Sequence, residues 1–174
     1  MQEIYNRARN IRVAAFDVDG VLTDGALHYA DSGEELKAFD VRDGHGLRML
    51  MDSGVAIAII TSRSSPCVGA RARNLGVDLL FQGVADKLAA FETLLGRCGV
   101  GAEACAYVGD DAVDLPVLKR CGLAVTVADA PATIRRAAHY VTRARGGRGV
   151  AREVCEIILY ARHRGMTMAP GDRA

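Results

Sequence analysis

Apolar residues along this chain fall into short unbroken runs, separated by longer stretches in which they recur every three or four positions. The runs Arg12-Val13-Ala14-Ala15-Phe16, Val55-Ala56-Ile57-Ala58-Ile59-Ile60, Ala104-Cys105-Ala106-Tyr107-Val108 and Leu123-Ala124-Val125-Thr126-Val127 have the length and β-prone content of buried strands. Leu79-Leu80-Phe81 and Tyr140-Val141 read as two shorter strands. Helices are predicted over 43–52 with Asp43 as N-cap, over 66–74 with Pro66 in the first turn, and over 87–97, 111–121, 132–138 and 150–162. Strand and helix alternate. This predicts an α/β fold, a Rossmann-like parallel sheet with helices on both faces. One segment breaks the alternation: Ala26 to Ala30, then Asp31-Ser32-Gly33, then Glu35 to Asp40 reads as a β-hairpin flap after the first strand. No stretch between strands is long enough for a separate cap domain. A single domain over 1–174 is expected, with its core at about 10–164 and a loose tail from 165.

Chemistry-bearing residues gather where the predicted strands end. Asp17-Val18-Asp19-Gly20 follows the first strand, Thr61 closes the second long run, and Gly109-Asp110-Asp111, with Asp114 three residues on, closes the third. Lys87 opens the helix between Thr61 and Asp110. The carboxyl ends of strands in an open parallel sheet are where ligands bind, so these distant positions converge there. Each piece alone has a plainer reading. Asp-x-Asp-Gly is a common turn, Asp110-Asp111 suits a helix N-cap, Thr61 can bond to backbone, and Lys87 can be a solvated helix charge. Their joint order carries the inference.

That order resembles the haloacid dehalogenase superfamily of phosphotransferases, whose motifs match as Asp17-x-Asp19, Thr61, Lys87 and Gly109-Asp110-Asp111-x-x-Asp114. Longer segments are similar to its capless sugar-acid phosphatases of lipopolysaccharide synthesis: Asp17 to Gly25, Val41-Arg42-Asp43-Gly44, Leu75-Gly76-Val77, Phe81-Gln82-Gly83, Lys87-Leu88, and Gly146-Gly147-Arg148-Gly149 followed by Arg152-Glu153. The resemblance spans residues 10–160 and implies Mg²⁺-dependent hydrolysis of an octulosonate 8-phosphate. Uncatalysed phosphate-monoester hydrolysis is so slow that enzymes accelerate it up to about 10²¹-fold, which requires a nucleophile, a proton donor and neutralised charge. The resemblance assigns Asp17 as nucleophile and metal ligand, and Asp19 as acid and base, with its backbone carbonyl on the metal. Asp110 supplies the second metal carboxylate, and Asp111 and Asp114 support or cap. Thr61 and Lys87 hold the phosphoryl oxygens. Ser62 departs from the glycine usual after this threonine, and either narrows the loop or adds a donor there. Arg63 and Arg71 are candidates for a bidentate grip on the substrate carboxylate. A sister group acting on nine-carbon acids carries glutamate where this chain has Arg63, which favours the eight-carbon substrate. Arg148, in the basic loop Arg143 to Gly149, is a further substrate-binding candidate, because in the resembling group this loop helps form a site between subunits of a homotetramer. The hairpin serves as a lid, as an oligomer contact, or as both.

Composition trims the alternatives. A chain of 174 residues with 50% hydrophobic content can bury a sizeable core. The net charge of +1 and the lack of aromatic interleaving in the basic loop argue against nucleic acid as a partner. Five cysteines, with no CxxC pair, fit a reducing cytoplasm. No apolar run reaches membrane-span length, so no membrane association is expected. His28, His45, His139 and His163 are scattered without ligand spacing. A receiver-like signalling domain also gathers aspartates, a hydroxyl and a lysine at a sheet edge, but it has no use for the leaving-group acid of an Asp-x-Asp pair. A noncatalytic binding subunit would not need the full set.

Overall fold

The computed structural model describes residues 1–167, with side chains up to His163. Six parallel strands form one sheet in the order β5-β4-β1-β6-β7-β8: β1 Val13–Phe16, β4 Ala56–Ile60, β5 Leu79–Phe81, β6 Cys105–Val108, β7 Leu123–Thr126 and β8 Tyr140–Val141. The hairpin is a separate two-stranded sheet of β2 His28–Tyr29 and β3 Glu35–Leu36, shorter than the sequence pattern suggests because both strands are solvent-facing at most positions. Every residue of β1, β6 and β7 is buried, as unbroken apolar runs require in a sheet covered on both faces.

From β1 the chain moves outward through α2 (Val41–Asp52), β4, α3 (Pro66–Leu75) and β5, then crosses back through α4 (Lys87–Cys98) to β6 and moves the other way. Right-handed crossovers running in opposite directions place α2 and α3 on one face, and α4, α5 (Leu115–Arg120) and α6 (Ala132–Ala137) on the other. The direction reverses between β1 and β6. Register places Phe16 beside Ile59 of β4 and Val108 of β6, so Asp17, Thr61 and Asp110 emerge within one residue of a common level. In the core Phe91 of α4 meets Tyr107 edge-on, with ring centroids 6.2 Å apart.

Several boundaries differ from the sequence expectation. The N-cap of α2 is Asp40, whose side chain accepts from the Arg42 N–H; Asp43 lies within the helix and is buried. The predicted helix over 111–121 is a 3₁₀ turn, Ala112–Asp114, followed by α5, because Pro116 lacks an N–H for an α-helical bond at that point. The last helix, α7 (Val150–Thr167), runs past the predicted end at 162, so residues 165–167 are helical, and the remainder of the expected tail lies outside the described residues. A short amino-terminal helix, α1 (Gln2–Ala8), was not foreseen; two buried apolar positions, Ile4 and Ala8, are too few for a visible period. It packs on α7, with Tyr5 against Tyr160 at 5.0 Å.

Candidate active site

The loops after β1, β4 and β6 enclose a cavity of about 210 Å³ lined by Asp17, Asp19, Thr61, Ser62, Arg63, Lys87, Asp110, Asp111 and Val113. At its floor lies a buried charge cluster. The Lys87 ammonium sits 2.7 Å from Asp17 Oδ2 and 2.7 Å from Asp114 Oδ1, with its side chain 2% exposed. Lys87 reaches this point because the Asp86 side chain caps α4, accepting from the N–H groups of Leu88 and Ala89, which fixes where the first turn begins.

Asp114 is fully enclosed and fully bonded. Its Oδ1 accepts from Lys87 and from the Tyr107 hydroxyl at 2.6 Å, and its Oδ2 accepts from the N–H groups of Asp110 and Asp111 at 3.0 and 3.1 Å. Gly109 makes room for this fold-back, since a β-carbon there would lie 2.4 Å from Asp114 Cγ. Asp114 thus ties the loop after β6 to the lysine and to the core tyrosine.

One ligand atom each from Asp17, Asp110 and Asp114 lies within 4.8 Å of the others. Hydrogen bonding separates the three. Asp114 has no oxygen left to offer, whereas Asp110 Oδ1 is buried without a partner. Burial, the neighbouring Asp114 and, against these, Lys87 leave the Asp17 carboxyl raised to about 6. Burial, then Asp17, Asp114 and Asp111, push Asp110 up to about 7. Burial opposes charge on Lys87, but Asp17 and Asp114 outweigh it and raise its pKa. The single ammonium does not neutralise the cluster. Hard carboxylate oxygens with excess negative charge and an unpartnered buried Oδ1 fit a small divalent ion such as Mg²⁺, with Asp17 and Asp110 as its side-chain ligands.

At the cavity mouth the hairpin folds down onto Asp19. The Lys37 ammonium, on a side chain 1% exposed, contacts Asp19 Oδ1 and lies 3.4 Å from Glu35 Oε1. Arg63 completes this network: its guanidinium is 2.8 Å from Glu35, 3.2 Å from the Tyr29 hydroxyl and 3.7 Å from Asp19 Oδ2. Lys37 escaped the sequence reading. Its only signal was scarcity, as one of three lysines, inside a hairpin that also carries Glu35.

Two expected substrate residues are not brought to this cavity. Arg71 donates to the Asp40 carbonyl at 3.1 Å and to Asn74 Oδ1 at 3.2 Å, and lies over the Phe39 ring. It sits in the second turn of α3 and lies against the start of α2. Arg148 lines a different hollow of about 230 Å³ with Asp24, Ala38, Phe39, Asp40 and Gly147, and is 3.9 Å from Asp24 with its side chain 72% exposed. Within one chain, only Arg63 of the candidate arginines reaches the cavity.

The aspartates of an Asp-x-Asp pair, a threonine hydroxyl, a lysine ammonium and a further aspartate thus meet at the switch point of a parallel sheet, a set of groups that suits a phosphate ester. Residues 77–154, which hold Lys87 and the Asp110 to Asp114 loop, match the haloacid dehalogenase-like hydrolase family. The 3-deoxy-D-manno-octulosonate 8-phosphate phosphatase of Yersinia pestis is 49% identical over 91% of this chain and 85% of its own length. That of Escherichia coli K12 is 48% identical over the same shares. The crystal structure of the corresponding phosphatase from Moraxella catarrhalis, in complex with magnesium, phosphate and a KDO molecule, superposes with a TM-score of 0.92 at 43% identity, covering 96% of both chains. The chain belongs to the 3-deoxy-D-manno-octulosonate 8-phosphate phosphatase family of haloacid dehalogenase-like hydrolases.

Proposed function

We propose that this chain is a Mg²⁺-dependent phosphatase that hydrolyses 3-deoxy-D-manno-octulosonate 8-phosphate to the free sugar acid and phosphate, a step of lipopolysaccharide synthesis. The observation that carries the reading is the placement of Asp17 and Asp19 on one cavity with Lys87, Thr61 and Asp110, in a chain about half identical to phosphatases of that name.

Asp17 is buried at the end of β1, where its Oδ1 accepts from the Val18 N–H at 2.7 Å and its Oδ2 meets Lys87. One of its oxygens forms a bond to phosphorus as the ester P–O bond breaks, giving an aspartyl phosphate. Asp19 hands its proton to the departing sugar oxygen, then takes one from the water that attacks phosphorus and regenerates the Asp17 carboxylate. Thr61 and Lys87 hold the equatorial oxygens, with Ser62 beside them, and the enclosed position of Lys87 strengthens its charge at that point. Asp17, Asp110 and the Asp19 carbonyl would hold Mg²⁺, which would neutralise charge on the phosphoryl group.

A cavity of about 210 Å³ takes the phosphoryl group and leaves most of an eight-carbon sugar acid to project past Arg63 and Val113. Arg63 is placed to meet the sugar carboxylate. Leu27, Tyr29, Leu36, Val41 and Val113 are exposed apolar residues on the hairpin, at its base and on the cavity rim. Their exposure supports a homotetramer in which neighbouring chains cover the site, and in which Arg148 contributes to a neighbour's substrate pocket. Five free thiols support a cytoplasmic setting. Among the described residues no helix is long and apolar enough to cross a membrane.

The test is phosphate release measured side by side on the eight-carbon 8-phosphate and on nine-carbon sugar-acid 9-phosphates. The eight-carbon ester should be turned over with the higher kcat/KM. Equal or better turnover of the nine-carbon ester would overturn the substrate assignment.

A further inference from the structure

The Gly146-Gly147-Arg148-Gly149 turn between β8 and α7 lies against the loop that follows the nucleophile, backbone on backbone. A β-carbon at 146 would fall 2.1 Å from the Gly20 carbonyl oxygen, and one at 147 would fall 2.5 Å from the Asp24 nitrogen. The Gly147 N–H donates to the Val21 carbonyl at 2.9 Å. These contacts leave no room for a side chain at either position.

The far side of the same turn is gripped by Asp43. This carboxylate is 3% exposed; its Oδ2 accepts from the Gly149 N–H at 3.3 Å and its Oδ1 from the Arg152 N–H at 2.8 Å. The side chains of Arg42, next to it in sequence, and of Arg152, across the contact, are engaged elsewhere, with Asp40 and Glu156. Asp43 therefore caps the first turn of α7 from within α2, a buried charge satisfied by backbone donors. Gly46, one turn further along α2, continues the close approach: a β-carbon there would lie 2.9 Å from Arg152 Cα.

On the other side the contact passes to the metal carboxylate. A β-carbon at Gly20 would lie 2.1 Å from Asp110 Oδ2, so the Gly20 backbone sets how near Asp110 comes to the loop carrying Asp17 and Asp19. Asp43, the 146–149 turn, Gly20 and Asp110 form one uninterrupted line of contacts.

We propose that Asp43 and the Gly146–Gly149 turn are positioning elements of the cation site, holding the Gly20 backbone so that the Asp17 and Asp110 carboxylates are spaced for one divalent ion. This rests on the reading of that carboxylate pair as a Mg²⁺ site. Neither Asp43 nor the turn touches the reacting atoms. Their effect is on the spacing of groups that do.

The experiment uses the full chain and reads Mg²⁺ binding directly, by calorimetric titration without substrate, beside the Mg²⁺ concentration giving half-maximal phosphatase rate. Asp43→Ala and Gly146→Ala should each raise the Mg²⁺ dissociation constant about 10-fold, and the half-activating concentration with it. Asp43→Asn, which keeps one acceptor and is the variant best able to fold, should raise it about 3-fold. Gly96→Ala, at a helical position with nothing near its β-carbon, should leave both values unchanged. Folded variants that bind Mg²⁺ with the wild-type constant, even if they melt earlier, would overturn the positioning role. If Asp43→Ala and Gly146→Ala do not fold, an Asp43→Asn constant equal to that of the wild type overturns it alone. Wild-type protein that binds no Mg²⁺ would instead overturn the reading of the site itself.

Discussion

Replacing Asp110 with Asn should make the metal-free protein more stable at pH 8. Asp110 carries a carboxyl raised from 3.8 to about 7 by burial and by Asp17, Asp114 and Asp111. At about 1.4 kcal/mol per pH unit that rise corresponds to about 4 kcal/mol. Asp110 is only partly enclosed, so solvent screening reduces the figure, and we expect ~2 kcal/mol. The sign follows from proton binding. Below pH 3.8 both folded and unfolded forms are protonated, and the cluster carries no penalty from this group. As pH climbs from 3.8 the unfolded chain releases its proton while the folded state keeps it, so stability falls across this window and the loss is complete once the pH has passed about 7. Urea unfolding in chelator at pH 5 and pH 8 measures the effect: wild type should lose stability across this interval, while Asp110→Asn should lose less and exceed wild type at pH 8. Adding Mg²⁺ at pH 8 should stabilise wild type and leave the variant nearly unchanged, because ligand binding stabilises only the form that binds it. An Asp110→Asn protein less stable than wild type in chelator at pH 8 would refute this account of the cluster.

Lys87→Met should do the opposite, destabilising the protein by about 3–5 kcal/mol in urea unfolding, because Asp17 and Asp114 lose their shared buried cation; a loss below about 1 kcal/mol would show the pair to be unimportant for folding. Asp19→Asn should depress kcat on sugar phosphates far more than on an aryl phosphate, whose leaving group needs less protonation, and equal losses would argue against the acid role. Arg63→Ala should weaken kcat/KM for the sugar-acid phosphate relative to an aryl phosphate by about 1.5–3 kcal/mol. Arg71→Ala should separate the two substrates much less, since Arg71 is engaged by Asp40 and Asn74 outside the cavity; an effect equal to that of Arg63 would return it to the substrate site.

The parts of the site that sit at strand ends were legible from sequence, because an apolar run that stops at an aspartate or threonine states both the strand and the side chain leaving it. Asp17, Thr61 and Asp110 are of this kind, and parallel register places them together. Lys87 was legible through motif order and the helix start after Asp86. Residues whose place depends on contacts between distant elements were not. Lys37 reaches Asp19 because the hairpin folds back onto the loop after β1; a lid was expected there, but no local pattern says which of its side chains turns inward. Asp43 resembles an N-cap at the head of an apolar-periodic stretch, yet Asp40 holds that position, and the Asp43 side chain serves a helix more than 100 residues later. Arg71 is a carboxylate candidate by residue type, which says nothing of the direction its side chain takes from α3. Asp114 appeared as a supporting cap. In the fold it is also the anchor of Lys87.

The most direct test of the central claim is to trap the covalent intermediate during turnover of 3-deoxy-D-manno-octulosonate 8-phosphate. Acid quenching in the steady state, followed by borohydride, reduces an aspartyl phosphate to homoserine, which peptide mass spectrometry can locate. The account predicts homoserine at position 17 only, dependent on Mg²⁺ and substrate, and absent from Asp17→Asn. Reduction at another aspartate, or full turnover by the Asp17→Asn protein, would contradict it.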